Sequence, residues 1–538
     1  MTTRTLNHAR LNRRQLVTMA AATAGAWWLP RSAWSQARWS HNPFSLGVAS
    51  GSPTHDSVVL WTRLHVDLPL GAGVGREPIT LRWELAHDEQ FTRIVQQGQA
   101  AALPELAHAV HVEVQGLEPD RWYFYRFMTG DALNAVGRTR TFPMPDAVVS
   151  SLRLGYASCQ KWEDGYFSAW RHMREENPDA VMFLGDYIYE YPGKSSKLRV
   201  PTGGWVLTLE DYRRRYALYK GDPDLQAMHA ACPWLMTWDD HEVQNDYAGP
   251  QAGNSGLADP SSAGDFLARR AAAYQAYYEH MPIRSSVLTQ AVAGLGQGVE
   301  MRIYRRLPFG RLASLYLLDA RQYKDPQACT PDGRRGSGRV NPQQCPQWND
   351  PKRSMLGAMQ EQWLGQELAR QGSTQVTWNV LGQQTLLGQR DFRPGPGQLL
   401  WNDGWDGYAS ARTRLTDALR QHRVSNPVFL GGDVHENWVG HVLADYAKPA
   451  SPSVGVEFCG TSITSRSGGN AKLAERLAEN PHFVYAECER KGYGVLEFTP
   501  RQLNTTLRVL DDVTRPDARI ETLARFAVQS GRPVIERV

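Results

Sequence analysis

Five apolar residues in a row, Ala180-Val181-Met182-Phe183-Leu184, run straight into Gly185-Asp186-Tyr187-Ile188-Tyr189. A short apolar run closed by a glycine reads as a buried strand, and a carboxylate at its C-terminal end stands where α/β sheets build their sites. A carboxylate able to bridge two cations, followed three residues later by a phenol, points to a metal centre rather than to packing. Three further segments are built the same way: Leu154-Gly155-Tyr156-Ala157-Ser158-Cys159-Gln160, Trp238-Asp239-Asp240-His241-Glu242-Val243-Gln244-Asn245-Asp246-Tyr247, and Leu430-Gly431-Gly432-Asp433-Val434-His435-Glu436-Asn437. Each follows an apolar run and carries metal-ligand side chains, so one sheet edge could collect all four.

Around these segments strands and helices alternate. Predicted strands Leu152–Ala157, Arg302–Arg305, Ser314–Asp319, Val376–Gly382, Val428–Leu430 and Val454–Cys459 interleave with helical stretches. Those stretches are Asp164–Asn177, with an aspartate near its start, then Leu209–Lys220, Ala263–His280, Met359–Gln371 and Ala409–Gln421. Such alternation makes a layered α/β domain. Phe44 to Met144 reads instead as all-β, with strands at Ser57–Thr62, Ile79–Leu85, Val110–Val114 and Tyr123–Phe127 separated by turn-rich segments. Leu117-Glu118-Pro119 leading into Tyr123 and Tyr125 resembles the corner of a fibronectin type III-like sandwich. A boundary falls near Pro143–Val149, and Asn245–Gly264, rich in Gly, Ser and Asp, reads as a mobile loop near the site. A length of 538 residues accommodates two domains, and 42% hydrophobic with 21% charged residues is an ordinary globular composition.

The first 37 residues read as a secretion signal. Arg13-Arg14 precedes an apolar run from Leu16 to Leu29, too short to span a membrane, and Ser35-Gln36-Ala37 offers a cleavage site. The arginine pair followed by Gln15-Leu16-Val17 resembles a twin-arginine signal, with a general secretory signal as the alternative. This segment holds five arginines and no acid, so the chain's formal charge of +4 becomes −1 without it. No basic patch for nucleic acid remains, and no other stretch is long and apolar enough to cross a bilayer. Six cysteines are too few for a disulfide scaffold; Cys329 and Cys345, which flank a polar loop, are the favoured pair.

Taken in order, the four segments resemble the PhoD-like alkaline phosphatases of the metallophosphoesterase class, which includes the purple acid phosphatases. The class pattern GDxxY is intact in Asp186 and Tyr189. GNH(D/E) appears as Asp239-Asp240-His241-Glu242 and GHxH as Gly432-Asp433-Val434-His435. These replacements, with a cysteine in the first segment, are similar to the PhoD branch, and the resemblance extends from about Asn42 to Pro500. It implies a layered αββα metallophosphoesterase sandwich over 150–538, an all-β fibronectin/Ig-like domain over 42–145 and a twin-arginine signal over 1–37. The family's metals are Fe(III) and Ca(II). Cys159, Tyr189, His435 and a bridging Asp186 would hold the iron, since phenolate and thiolate stabilise a trivalent ion. Asp240 and Asp433, standing where the class has nitrogen ligands, favour calcium over zinc; Asn245 is a further oxygen candidate, and the direct ligands among Asp239, Asp240 and Asn245 stay open. His241 would give a hydrogen bond or proton to the leaving oxygen.

Each of these residues also has an ordinary reading: Cys159 as a core thiol, Asp186 as a helix cap, Tyr189 as packing, His435 as a satisfied core histidine. His441 reads as structural, and Arg321 as either a phosphate clamp or a surface ion pair. The later VxxH segment of the wider class is not evident: Asn379-Val380-Leu381-Gly382-Gln383-Gln384 stands there, which speaks against a dizinc centre. The resulting expectation is an exported, metal-dependent alkaline phosphatase that acts on phosphate mono- and diesters through an oxygen nucleophile and reaches its compartment through the twin-arginine machinery. The alternatives are a phospholipase D-type phosphodiesterase and, from a different class, a non-catalytic surface-binding protein. A serine hydrolase is disfavoured because Gly460-Thr461-Ser462-Ile463-Thr464 lacks the closing glycine of a nucleophile elbow.

Overall fold

The computed structural model describes residues 39–65, 77–194, 197–254, 259, 266–288, 300–330, 335–372, 376–448 and 450–538. The secretion-signal reading of residues 1–37 and much of the expected loop at 245–264 lie outside them. The run that opens the sequence argument forms the strand Ala180–Phe183, between Leu152–Ala157 and Trp234–Met236 and parallel to both. A second parallel set joins Ala313–Leu317, Trp378–Gly382, Pro427–Gly431 and Ser453–Cys459.

Strand pleat explains why these runs are apolar throughout, because successive side chains leave on opposite faces. Ala180, Met182 and Leu184 meet Leu315, Leu317, Val380, Val428 and Leu430 in one core between the two sheets. Val181 and Phe183 turn the other way, under the helices Ser168–Glu175, Leu209–Lys220, Pro223–Ala231 and Phe266–His280. Tyr316, Leu381 and Phe429 likewise leave the second sheet beneath Ala358–Gly372 and Ala409–Gln421. The order is helices, sheet, sheet, helices. Each fully buried Leu or Phe in these cores contributes roughly 1.5–3 kcal/mol.

The first sheet has ten strands and the second seven. Three N-terminal strands, Val48–Gly51, Val58–Arg63 and Ala109–Val114, belong to the ten-stranded sheet, joined where Gly51 pairs with Trp234. A Cβ on Gly51 would stand 2.5 Å from Pro282 O and 2.7 Å from Trp234 O, so the joint needs glycine. A separate five-stranded sheet packs over these strands through Leu81, Leu85, Tyr123, Tyr125 and Phe127. The N-terminal β unit thus shares a sheet with the α/β unit. The expected corner is present: Tyr123 Oη accepts from Glu118 N at 3.0 Å.

Some expectations need correction. The helix expected at Asp164–Asn177 is Ser168–Glu175, after a 3-10 turn at Trp162–Asp164, and no aspartate caps it. Asp164 is turned away, bonded to Lys197. The strand expected at Arg302–Arg305 is Arg305–Phe309, because its register follows a hairpin with Ala313–Leu317. The polar strand Ile94–Ala102 and the C-terminal strands Gln502–Leu510, Ile520–Gln529 and Ile535–Arg537 were not foreseen, although Leu503, Thr505, Leu507 and Val509 alternate with polar residues along the first of the three. The C-terminal strands extend the outer edge of the ten-stranded sheet and contribute nothing to the central cleft. Cys329 and Cys345 form the expected disulfide.

Candidate metal centre

All four motif loops leave the C-terminal ends of parallel strands, three from the ten-stranded sheet and the Asp433–His435 loop from the seven-stranded one. Hydrogen bonds lace them together. Cys159 N donates to Gly185 O at 3.0 Å, and Gln160 N to Asp186 O at 3.1 Å. Glu242, fully buried, accepts from Asp186 N and Tyr187 N of one loop and Asp239 N of its own, at 3.1, 2.6 and 2.9 Å. Burial pushes Glu242 up to about 7 despite those donors. The loops approach closely at Gly185: its φ is +107°, and a Cβ there would lie 2.5 Å from Asp239 N and Cβ.

Five site residues hold left-handed backbone: Cys159 (φ 60°), Asp186 (57°), Asp246 (58°), Asp433 (64°) and His435 (59°). A non-glycine residue in that region costs about 1 kcal/mol or more, and such strain concentrates at functional sites.

Cys159, Asp186 and His435 bring ligand atoms within 4.8 Å of one another. Tyr189 Oη joins them, donating to Asp186 Oδ2 at 2.9 Å and lying 3.3 Å from His435 Nε2 and 2.7 Å from Ser465 Oγ. His435 Nδ1 lies 2.9 Å from Arg466 O, which directs Nε2 at the group. Burial, then Lys491, pushes His435 down to about 3, so it stays neutral, the form a ligand needs. Burial and the Asp186 carboxylate push both the Cys159 thiol and the Tyr189 phenol well up. Both shifts favour the neutral thiol and phenol.

A second set, Asp186, Asp240 and His241, shares Asp186, and a third joins Asp240 to Asp246 and Asp403. Asp240 Oδ1 is buried without a hydrogen-bond partner, as expected of an oxygen shaped to face a cation. Asp433 lines the same cleft. Asn245 lines it too; its amide N donates to Glu190 Oε1 at 2.9 Å and its Nδ2 to Asn254 O at 2.8 Å. Asp239 does not reach the cleft, because its Oδ1 accepts from Arg321 Nε.

Arg321 fits neither of its expected roles. It is 1% exposed, which rules out a surface ion pair, and it does not line the cleft. Instead its guanidinium sits among four aspartates, bonded to Asp239 and Asp403 and 3.7 and 3.8 Å from Asp240 and Asp433. It offsets like-charge repulsion that would otherwise splay the acids. Burial works to raise Asp403, but Arg321 and Lys324 outweigh it and hold that carboxyl well below its usual range.

His241 Nδ1 lies 2.7 Å from Glu190 Oε2, and its ring packs 4.2 Å from the Tyr189 ring. Burial works to lower its pKa, but Glu190, Asp186 and Asp240 overcome that and raise it well above the ordinary value. Glu190, Asp246, Asp403 and Ser465 escaped the sequence reading: Glu190 directly follows the GDxxY motif without belonging to it, and Asp403 lies in a turn with no motif. His441 is structural, accepting from Ile535 N at 3.3 Å on a strand away from the cleft. Gln384, standing where the wider class would carry a histidine, ties strand ends together through Thr237, Trp238, Leu318 and Ala320.

A family model described as "PhoD-like phosphatase" matches residues 154–507, and "PhoD-like phosphatase, N-terminal domain" matches residues 30–143. The chain is 43% identical over 509 residues to "Alkaline phosphatase D" of Bacillus subtilis (strain 168), covering 93% of this chain and 83% of that protein. A solved structure titled "Structure of PhoD" superposes with a TM-score of 0.84 at 42% identity, covering 93% of each chain. Among the described residues no helix is long and apolar enough to cross a membrane.

Proposed function

The chain belongs to the PhoD-like phosphatase family and is a phosphoester hydrolase, and on that premise we propose an exported, metal-dependent alkaline phosphatase acting on phosphate monoesters and diesters. The observation that carries this reading is Asp186, shared by the groups Cys159–Asp186–His435 and Asp186–Asp240–His241. Cys159, Tyr189 and His435 would hold Fe(III) with Asp186 as the bridge; Asp240, Asp433 and Asn245 would hold Ca(II), which their hard oxygens suit. When bound, these cations supply charge neutralisation for the phosphate and an activated oxygen nucleophile.

The chain's own residues do the rest. Glu190 engages Nδ1 of His241, leaving Nε2 free for the cleft, where it gives a proton to the departing ester oxygen. Arg321 offsets the repulsion around Asp240, Asp403 and Asp433, which line the cleft. The layered core is read as the αββα metallophosphoesterase sandwich, with domains at 42–145 and 150–538 behind a twin-arginine signal at 1–37. That signal accords with export of an already folded, metal-loaded protein.

The test is metal analysis and a visible spectrum on natively exported protein. Iron and calcium are expected, with a visible charge-transfer band that disappears together with activity in Tyr189→Phe. Zinc in both positions, and an unaltered variant, would sink the assignment.

A further inference from the structure

The cleft, about 710 Å³, is larger than a phosphate group needs, and its far wall is built as deliberately as its floor. Two short strands, Arg339–Val340 and Leu400–Trp401, pair antiparallel with Arg339 opposite Trp401. Alternation along them divides their side chains. Val340 and Leu400 turn inward onto Ala328, Cys345 and Trp348, a small core stapled by the Cys329–Cys345 disulfide. Arg339 and Trp401 take the other face and line the cleft.

This ledge is fastened to the acidic floor from both strands. Ser337 donates through N and Oγ to Asp246 Oδ2, at 3.1 and 2.6 Å. Asn402 bridges Gly338 and Ala328 at 2.7 and 2.8 Å. Asp403, bonded to Arg321, follows Trp401 by two residues, so their Cα atoms are at most about 7 Å apart. The ledge is therefore tied through Asp246 and Asp403 to the floor of the cleft that it shares with Asp186, Asp240 and Asp433.

Its surface chemistry is specific. The Arg339 guanidinium lies 4.4 Å from the Phe392 ring centre, and Arg390 lies 4.6 Å from the same ring. Arg390 is occupied by Glu436 at 2.8 Å. Arg339 is exposed and, among the described residues, makes no ion pair and no side-chain hydrogen bond, so its donors are open to a ligand. Trp401 is half-exposed beside it. A π-face next to a planar cation accommodates a flat ring with acceptor atoms at its edge.

Resting on the phosphoesterase reading of the floor, we propose that Trp401 and Arg339, backed by Phe392, form the subsite for the alcohol side of the ester and select phosphodiesters whose alcohol carries a flat aryl or nucleobase ring.

The test is the ratio of kcat/KM for bis(4-nitrophenyl) phosphate to that for glycerol 2-phosphate, measured on the metal-loaded enzyme. Trp401→Ala should lower this ratio roughly tenfold or more, the scale of one lost ring-stacking contact, and the change should lie in KM. Trp401→Phe, which keeps a π-face, should restore the ratio to within about threefold of the wild type. Arg339→Ala, at an exposed position the fold tolerates, should lower it in the same direction. A ratio that stays constant in Trp401→Ala and Arg339→Ala, even where both rates fall, overturns the subsite and leaves the phosphoesterase reading standing. A wild-type enzyme inactive on both substrates overturns that reading and the subsite with it.

Discussion

Glu190 controls the centre without touching a candidate metal position. Fully buried, it sets the orientation of His241 through Nδ1 and accepts Asn245 N with its other oxygen. It is a positioning residue, and its removal should show in the chemistry of the leaving group. Glu190→Gln keeps the volume but loses the charge that helps hold His241 protonated. Turnover of an alkyl phosphate ester, whose leaving oxygen needs a proton, should fall about 100-fold. Turnover of a 4-nitrophenyl ester, whose leaving group departs unaided, should fall far less. Steady-state kinetics on the pair checks this: equal losses would mean that Glu190 only supports the fold. The orphaned oxygen of Asp240 carries the complementary expectation. Asp240→Asn should lower calcium content and activity together while leaving the visible iron band, measured by elemental analysis and absorbance on one sample.

At the level of elements, strand ends set the site's geometry and loops supply its reagents. Gly185 marks where two loops touch, with φ at +107° and no room for a Cβ beside Asp239. Gly185→Ala should cost roughly 2–4 kcal/mol in denaturant unfolding and abolish activity, since both loops it would force apart carry site residues. Glu457 on the Ser453–Cys459 strand gives a pH-dependent expectation. Its carboxyl accepts from Leu387 N and Gly388 N at 2.6 and 2.8 Å, and burial pushes it up to about 7. A folded-state pKa above the unfolded one favours folding below about pH 4.5, a contribution lost as pH rises through 7. Relative to Glu457→Gln, the wild type should therefore lose on the order of 3 kcal/mol of unfolding free energy between those limits. Paired melts across pH would show a constant difference if the carboxyl were not so perturbed. The apolar strands and their terminal Asp, His and Cys were legible in the sequence because burial on both faces leaves an unbroken apolar run. The Leu209–Lys220 and Ala409–Gln421 helices likewise fall where the pattern places them. Arg321, Asp403 and the ledge were not legible: their roles come from contacts about 80 residues apart, and no local period records those.

At the scale of the whole molecule, the N-terminal β unit and the α/β unit are not two independent bodies. Their shared ten-stranded sheet crosses the Gly51–Trp234 joint. Side chains reinforce it: Trp61 Nε1 donates to Glu279 O at 3.1 Å, Glu113 accepts from Ser285 N at 2.7 Å, and His111 stacks on Tyr278 at 4.3 Å. Arg63, buried, reaches His280 at 2.5 Å. Cutting the chain near residue 149 would bare the Trp234–Met236 edge and the helix Phe266–His280 that packs against it, both of which also support the loop of Asp239 to His241. An unpaired apolar edge of that kind recruits other chains. Residues 150–538 expressed alone should therefore be aggregated and inactive in size-exclusion chromatography and phosphatase assay, although they contain every proposed ligand. A monomeric, active fragment would show instead that the sheet junction is dispensable and that the N-terminal strands only decorate a self-sufficient α/β core.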